Sequence, residues 1–307
     1  MNAATANAGR TAAERFIDPA MLARIGNLDL VAKTVVDGFI SGLHRAKKMG
    51  AATDFAEHRP YTRGDDVRHM DWRLFARTDR LYIKTFETET NADVTLVLDA
   101  SASMDYASGT VSKFDYARYI LASLAHLAAR QRDRVGLVVI DNTLRDWVPP
   151  SARRRDSLLR HLARARAEGP GELIAALDDL GERLGRRGIV VVVSDFYAPP
   201  NDVIKALDRL RARGHDLLAL QVLDPVERDL NLPGELVLED METGQRLPVA
   251  TAVVGNEYRS ALAEHVQALS RACGERHIDF ACLYTDQPLD SMLFQYLSQR
   301  ARLVRTR

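Results

Sequence analysis

The chain has 307 residues, 46% hydrophobic and 27% charged, which is enough to bury one large domain with an accessory or two modest domains. Lysine plus arginine equals aspartate plus glutamate at 42 each, so the formal net charge is zero and the whole molecule has no electrostatic pull toward nucleic acid or anionic membrane. Cys273 and Cys282 form no CxxC pair and read as buried free thiols, and no apolar stretch is long enough to span a bilayer or serve as a signal sequence, so a reducing, cytoplasmic setting is expected.

In chain order, Asp18-Pro19 reads as an N-cap followed by proline at the first helical position. A helix follows over 28–43, with Leu30, Val31, Val35, Phe39, Ile40 and Leu43 at helical spacing; Gly42, Gly50 and the basic run at Lys47 and Lys48 end it. Residues 54–89 are rich in charge and aromatics, and 81–86 alternate like a half-buried strand. Residues 1–90 are expected to form an N-terminal extension on a main domain of 91–307. From there strands and helices alternate. The β-rich runs are 94–98, 135–140, 189–193 and 217–222, with a weaker one at 280–284 and an edge strand at 144–148 reached through an Asp141-Asn142 turn. Helical patterns occupy 114–131, 151–166, 172–186, 201–213, 256–275 and 289–301. Residues 235–249 read as a hairpin turning at 242–245. Strands separated by helices of this length predict βαβ units and a mostly parallel sheet covered on both faces.

The first of these strands ends directly in Asp99-x-Ser101-x-Ser103, and a later one ends in Ser194-Asp195. Alternate side chains of an extended loop point the same way, so one carboxylate and two hydroxyls can converge on a point. Such hard oxygen ligands suit magnesium, manganese or calcium. In a 3-2-1-4-5-6 strand order the first and fourth strands are neighbours, which brings Asp99 and Asp195 together at the carboxyl edge of the sheet. Aspartate and serine also serve there as turn residues and caps, and Asp105, Asp115 and Asp141 are assigned to such roles.

Together, Asp99, Ser101, Ser103 and Asp195 resemble the metal-ion-dependent adhesion site of von Willebrand factor A domains, whose strand order is the one used above. Upstream, residues 55–72, with Arg59, Arg63, Asp65, Asp66, Arg68, Asp71 and Trp72, and the following Ala76-Arg77-Thr78 resemble the signature of the bacterial domain-of-unknown-function 58 family. The resemblance covers about residues 35–225. It implies a three-layer von Willebrand factor A-like (Rossmann-like) α/β fold, plus the N-terminal extension and the C-terminal hairpin insertion. It also implies a divalent cation, magnesium first, as cofactor, and a MoxR-type AAA ATPase and client proteins as partners. Two departures stand out: Gly171 lies where such sites usually place a threonine ligand, and the membrane helices that many members carry at the N-terminus are missing. At Gly171, Glu172 or water is the expected substitute.

The charged block from Arg59 to Trp72 reads either as a partner-docking surface or as an ion-pair network fixing the extension to the domain. Arg63-Gly64-Asp65 is a coincidental tripeptide. The arginine-rich stretch at 153–166 reads as a solvated helix face. No HExxH, GxxxxGK[ST] or GxSxG occurs, so zinc, P-loop and nucleophile-elbow chemistry are not expected. The resulting expectation is a metal-dependent protein interaction module that breaks no bond. The alternatives are a metal-dependent hydrolase or phosphotransferase, and a structural protein with a degenerate site.

Overall fold

The structure, a computed structural model, describes residues 18–48, 58–60, 82–84, 92–230, 234–289 and 293. Helix α1 (Pro19–Leu22) begins as its sequence dictates: the Asp18 carboxylate accepts the Ala20 N–H at 2.9 Å and proline takes the first turn. Helix α2 (Leu28–Lys48) is capped by Asn27, whose side chain accepts the Asp29 and Leu30 N–H groups, and it buries Val31, Val35, Val36 and Phe39. It runs through Gly42, because one glycine costs a helix only about 1 kcal/mol relative to alanine.

The chain divides into two compact units, one of Met1–Phe39 with Asn91–Arg307 and one of Ile40–Thr90. The residues before Ile40 thus group with the main unit. Within the smaller unit, β1 (His58–Pro60) pairs antiparallel with β2 (Tyr82–Lys84), the centre of the strand predicted at 81–86.

The main unit continues through β3 (Asp93–Asp99), α3 (Lys113–Arg130), β4 (Arg134–Ile140), β5 (Leu144–Ser151), α4 (Arg155–Arg164), α5 (Leu173–Arg183), β6 (Ile189–Ser194), α6 (Pro200–Ala212), β7 (Asp216–Leu223) and α7 (Pro225–Asp229). It then adds β8 (Glu235–Glu239), β9 (Arg246–Ala250), α8 (Thr251–Glu275) and β10 (Asp279–Tyr284). Six strands form one sheet in the order β10-β7-β6-β3-β4-β5. All neighbours are parallel except β5, which is antiparallel to β4. Numbered within the sheet, this is the expected 3-2-1-4-5-6 order with β3 first and β6 fourth.

The central strands read as unbroken apolar runs because both faces are covered. Val97, Val138, Val190, Val192, Leu217 and Ala219 pack into one cluster with Leu177 of α5, Leu207 of α6 and Leu269 of α8. The alternate residues Leu96, Leu98, Leu137, Val191 and Leu218 are equally buried on the opposite face, where α3 crosses β3, β4 and β7. That makes three layers and a von Willebrand factor A-like fold.

Strand β5 runs three residues beyond expectation, through Pro149 and Pro150. Proline is tolerated on an edge strand, and the β4–β5 register shifts between Gly136 and its neighbours. A methyl group on Gly136 would lie 2.8 Å from Pro150 N and from Val148 O, so only glycine admits this approach. The hairpin β8–β9 forms as predicted, as a separate two-stranded sheet. The predicted helix at 289–301 lies outside the described residues apart from Leu289 and Leu293, both buried.

Candidate metal centre

Strands β3 and β6 run side by side with Leu98 level with Val193, so their acidic ends emerge together. The Ser194 hydroxyl donates to Asp99 Oδ2 at 2.5 Å, and Asp99 Oδ1 accepts the Ser101 N–H at 2.9 Å. Ser101 Oγ lies 3.1 Å from Ser103 Oγ at the start of a 3₁₀ turn, Ala102–Asp105. Asp99, Ser101 and Asp195 are buried and Ser103 is partly so. Burial, reinforced by the Asp195 carboxylate, pushes Asp99 up to about 6 against the lowering effect of its hydrogen bonds from Ser194 and Ser101. The four residues read from the sequence are therefore brought together, with Ser194 as an added orienting group.

Asp195 has a partner that sequence reasoning missed. The Lys113 ammonium, fully buried, lies 3.0 Å from Asp195 Oδ2 and 2.7 Å from Glu227 Oε1. It also sits 4.8 Å from the centre of the Tyr197 ring. Burial is the largest single effect and lowers its pKa, but the two carboxylates together outweigh it and hold the pKa above the usual lysine value. Glu227 in turn accepts the Asp224 N–H in a capping box at the start of α7. A signal was present in the sequence: Lys113 follows the N-cap Ser112, and a cation in the first turn opposes the helix dipole unless acids hold it there. Asp195 Oδ1 has no hydrogen-bond partner among the described residues.

The backbone beyond Asp195 is strained. Phe196 is buried with φ at 50°, in the left-handed region that bulky residues avoid, and its carbonyl accepts from His265 Nε2 at 2.9 Å. The neighbouring loop is stitched to the Asp99 loop by two backbone bonds, Ala102 N to Gly169 O at 2.9 Å and Glu168 N to Ala100 O at 3.0 Å. This brings Gly171 against Ser101. A methyl group at position 171 would lie 2.9 Å from Ser101 Cβ, so the tight approach of the two loops excludes a threonine here as they stand.

Of the other acids near the sheet edge, Asp141 has the expected turn role and Asp115 is held in an ion pair. Asp141 accepts the Thr143 N–H at 2.9 Å and pairs with Arg145. Asp115 pairs with Arg118 one turn along α3, and Asp105 is exposed. Of the predicted partner-binding block, Arg59 is placed by its backbone opposite Ile83, while Arg63, Asp65, Asp66, Arg68, Asp71 and Trp72 lie outside the described residues. Among the described residues no three His, Cys, Asp or Glu side chains gather as a metal group. A cation here would depend on Asp99, the two serine hydroxyls and the free oxygen of Asp195, a hard-oxygen set that fits magnesium, manganese or calcium. No helix of the described residues is long and apolar enough to cross a membrane.

The chain is similar to the uncharacterized protein Rv1480 of Mycobacterium tuberculosis, 32% identical over 296 residues that cover 93% of this chain and 91% of that protein. The uncharacterized protein MAV169 of Mycobacterium avium is 34% identical over 163 residues, 50% of this chain and 94% of its own length. Among solved structures, the chain is similar to the conserved hypothetical protein BatB of Bacteroides thetaiotaomicron, at 12% identity and a TM-score of 0.48 over 68% of this chain and 99% of that one. It is also similar to an aerotolerance-related membrane protein of Bacteroides fragilis, at 16% identity and a TM-score of 0.47 over 70% of this chain and all of that one. With residues 57–268 matching its profile, the chain belongs to the family described as protein of unknown function DUF58.

Proposed function

We propose that this protein is a metal-dependent interaction module that binds other proteins through the Asp99, Ser101, Ser103 and Asp195 site, as an adaptor or co-chaperone of a MoxR-type AAA ATPase in the assembly or maturation of clients. The observation that carries the interaction reading is the surface around the site. Seven large hydrophobic side chains are exposed among the described residues, and five of them sit beside Asp195 or on the hairpin: Tyr197, Val237, Leu238, Met241 and Leu247. Four exposed apolar side chains on one hairpin, whose turn residue Glu242 reaches Gly171 beside Ser101, support a protein contact surface. The hydroxyl-rich ligand set supports the metal part, since a dication held there keeps positions open for a partner's acidic side chain. The ATPase as partner rests on the resemblance of the 55–72 signature alone.

The test is calorimetric titration of magnesium and manganese into the full chain and into Asp99→Ala, followed by capture of the ATPase with cation or with chelator. Saturable binding lost in the variant, with capture that needs the cation, is expected. Capture that is indifferent to chelator and to Asp99→Ala would end the metal-dependent reading. One observation favours a rival, a structural site with no metal: Lys113 already balances Asp195 at 3.0 Å. That rival predicts no cation binding at millimolar concentrations.

A further inference from the structure

Along much of the surface an acid answers each arginine: Arg183 pairs with Asp179, Arg209 with Asp178 and Arg246 with Glu239. The edge of the sheet beside β5 is different. Arg153, Arg154, Arg160 and Arg164 are exposed, and none has an acidic partner among the described residues. The acids nearby are already committed. Asp156 lies 3.4 Å from Arg155, itself paired with Asp29, and Asp146 lies 3.4 Å from His161. Ser157, Arg160 and Arg164 follow one another at helical spacing along the open side of α4, which buries Leu158, Leu159 and Leu162 on the other. Between that stripe and the strand lies a cleft of about 500 Å³, walled by Trp147, Pro149, Arg153, Arg154, Arg160 and His161. Trp147 also packs against the core cluster, which holds it in place. A larger cleft on the other flank of α4, about 790 Å³, neutralises arginines of its own, Arg118 with Asp115 and Arg155 with Asp29.

We propose that the cleft between β5 and α4 docks an acidic, extended segment of a partner protein. Charge selects the occupant: the unpaired guanidinium groups offer forked hydrogen bonds that match carboxylates, and no acid of the described residues takes them. Trp147 gives an apolar side chain of the same segment a rigid wall. Side chains make the contact, not a strand ladder, because Pro149 and Pro150 on β5 lack the N–H groups that an added strand needs. A nucleic acid fits less well. The chain has no net charge to draw a polyanion, and the carboxylates of Asp146 and Asp156 at the cleft repel a continuous phosphate backbone. A peptide avoids them by placing its own carboxylates at intervals. The cleft is also separate from the Asp99 site. Strand β5 ends at Ser151, level with Val135 near the start of β4, whereas Asp99 is level with Ile140 at its end. Docking here needs no cation.

The experiment is fluorescence anisotropy of a labelled glutamate-rich peptide with one central phenylalanine, titrated with the full chain in chelator. It is repeated with the glutamine version of the peptide and with a single-stranded oligonucleotide of equal charge. The variants are the combined Arg153→Gln, Arg154→Gln and Arg160→Gln, with Arg183→Gln as control; all four side chains are exposed, so stability stays nearly unchanged. The glutamate peptide is expected to bind, to weaken with added salt, and to lose on the order of tenfold or more in affinity in the triple variant but little in the control. The glutamine peptide is expected not to bind. Equal affinity in the triple variant and the wild type, or no binding to the wild type, would overturn the proposal. Tighter binding of the oligonucleotide, lost in the same triple variant, would overturn the protein partner in favour of a nucleic acid.

Discussion

Asp99 concentrates the chemistry of the site because it is a carboxylate buried beside another carboxylate. Its pKa rises from 3.8 to about 6, first through burial and then through Asp195. The folded chain therefore holds this proton more tightly than the unfolded chain does. The resulting stabilisation is complete below the unfolded value and is lost as pH rises through about 6. In chelator, the melting temperature of the wild-type chain should fall relative to Asp99→Asn between about pH 4 and pH 7. On the metal-dependent reading proposed above, magnesium should remove that difference at neutral pH, because a cation at Asp99 would offset the charge that the proton otherwise neutralises. A wild-type curve parallel to that of Asp99→Asn across this range would contradict the arrangement.

At the scale of elements, the site depends on how closely separate pieces approach. Lys113 at the start of α3 ties the end of β6 to α7 through Asp195 and Glu227, with side-chain exposures of 0%, 5% and 16%. Removing one partner of a buried pair leaves uncompensated charge, so Lys113→Met should cost about 3–5 kcal/mol in urea unfolding at neutral pH. Magnesium should recover more stability in that variant than in the wild type, because Asp195 then lacks its internal cation. Gly188, just before β6, is a second such point: a methyl group there would lie 2.2 Å from the Asp93 carbonyl oxygen on β3. Backbone cannot yield as a side chain tip can, so Gly188→Ala should destabilise by about 1–3 kcal/mol in urea unfolding, from the end of β3 and β6 opposite the acidic one. Equal unfolding midpoints for the variant and the wild type would show that the strands tolerate the shift.

At the scale of the whole molecule, most of the sheet was legible in the chain. Strands β3, β4, β6 and β7 are mostly β-branched and leucine runs, long enough to read and bounded by helical patterns, and the hairpin announces itself through the turn at 242–245, which contains Gly244 at φ 70°. Less legible was the extent of β5, where the sequence places two prolines that only an edge position accommodates. The clustering of Asp99, Ser101 and Ser103 was legible for the same reason as the strands: the three are local, and alternation along an extended loop points them together. Groups from distant segments were not. Lys113, Glu227 and Glu242 approach across separations of 82, 114 and 71 residues from Asp195, Lys113 and Gly171, and even the first-turn cation of α3 signals only that acids hold it, not which ones. The sequence by itself determined the alternation of buried strands and amphipathic helices, and the acidic, hydroxyl-rich end of β3, because hydrophobic period and turn chemistry are properties of neighbouring residues. Only the tertiary structure decided that Lys113 balances Asp195 and that a bare Gly171 admits Glu242 beside Ser101, because charge pairing and close approach depend on which surfaces the fold presses together.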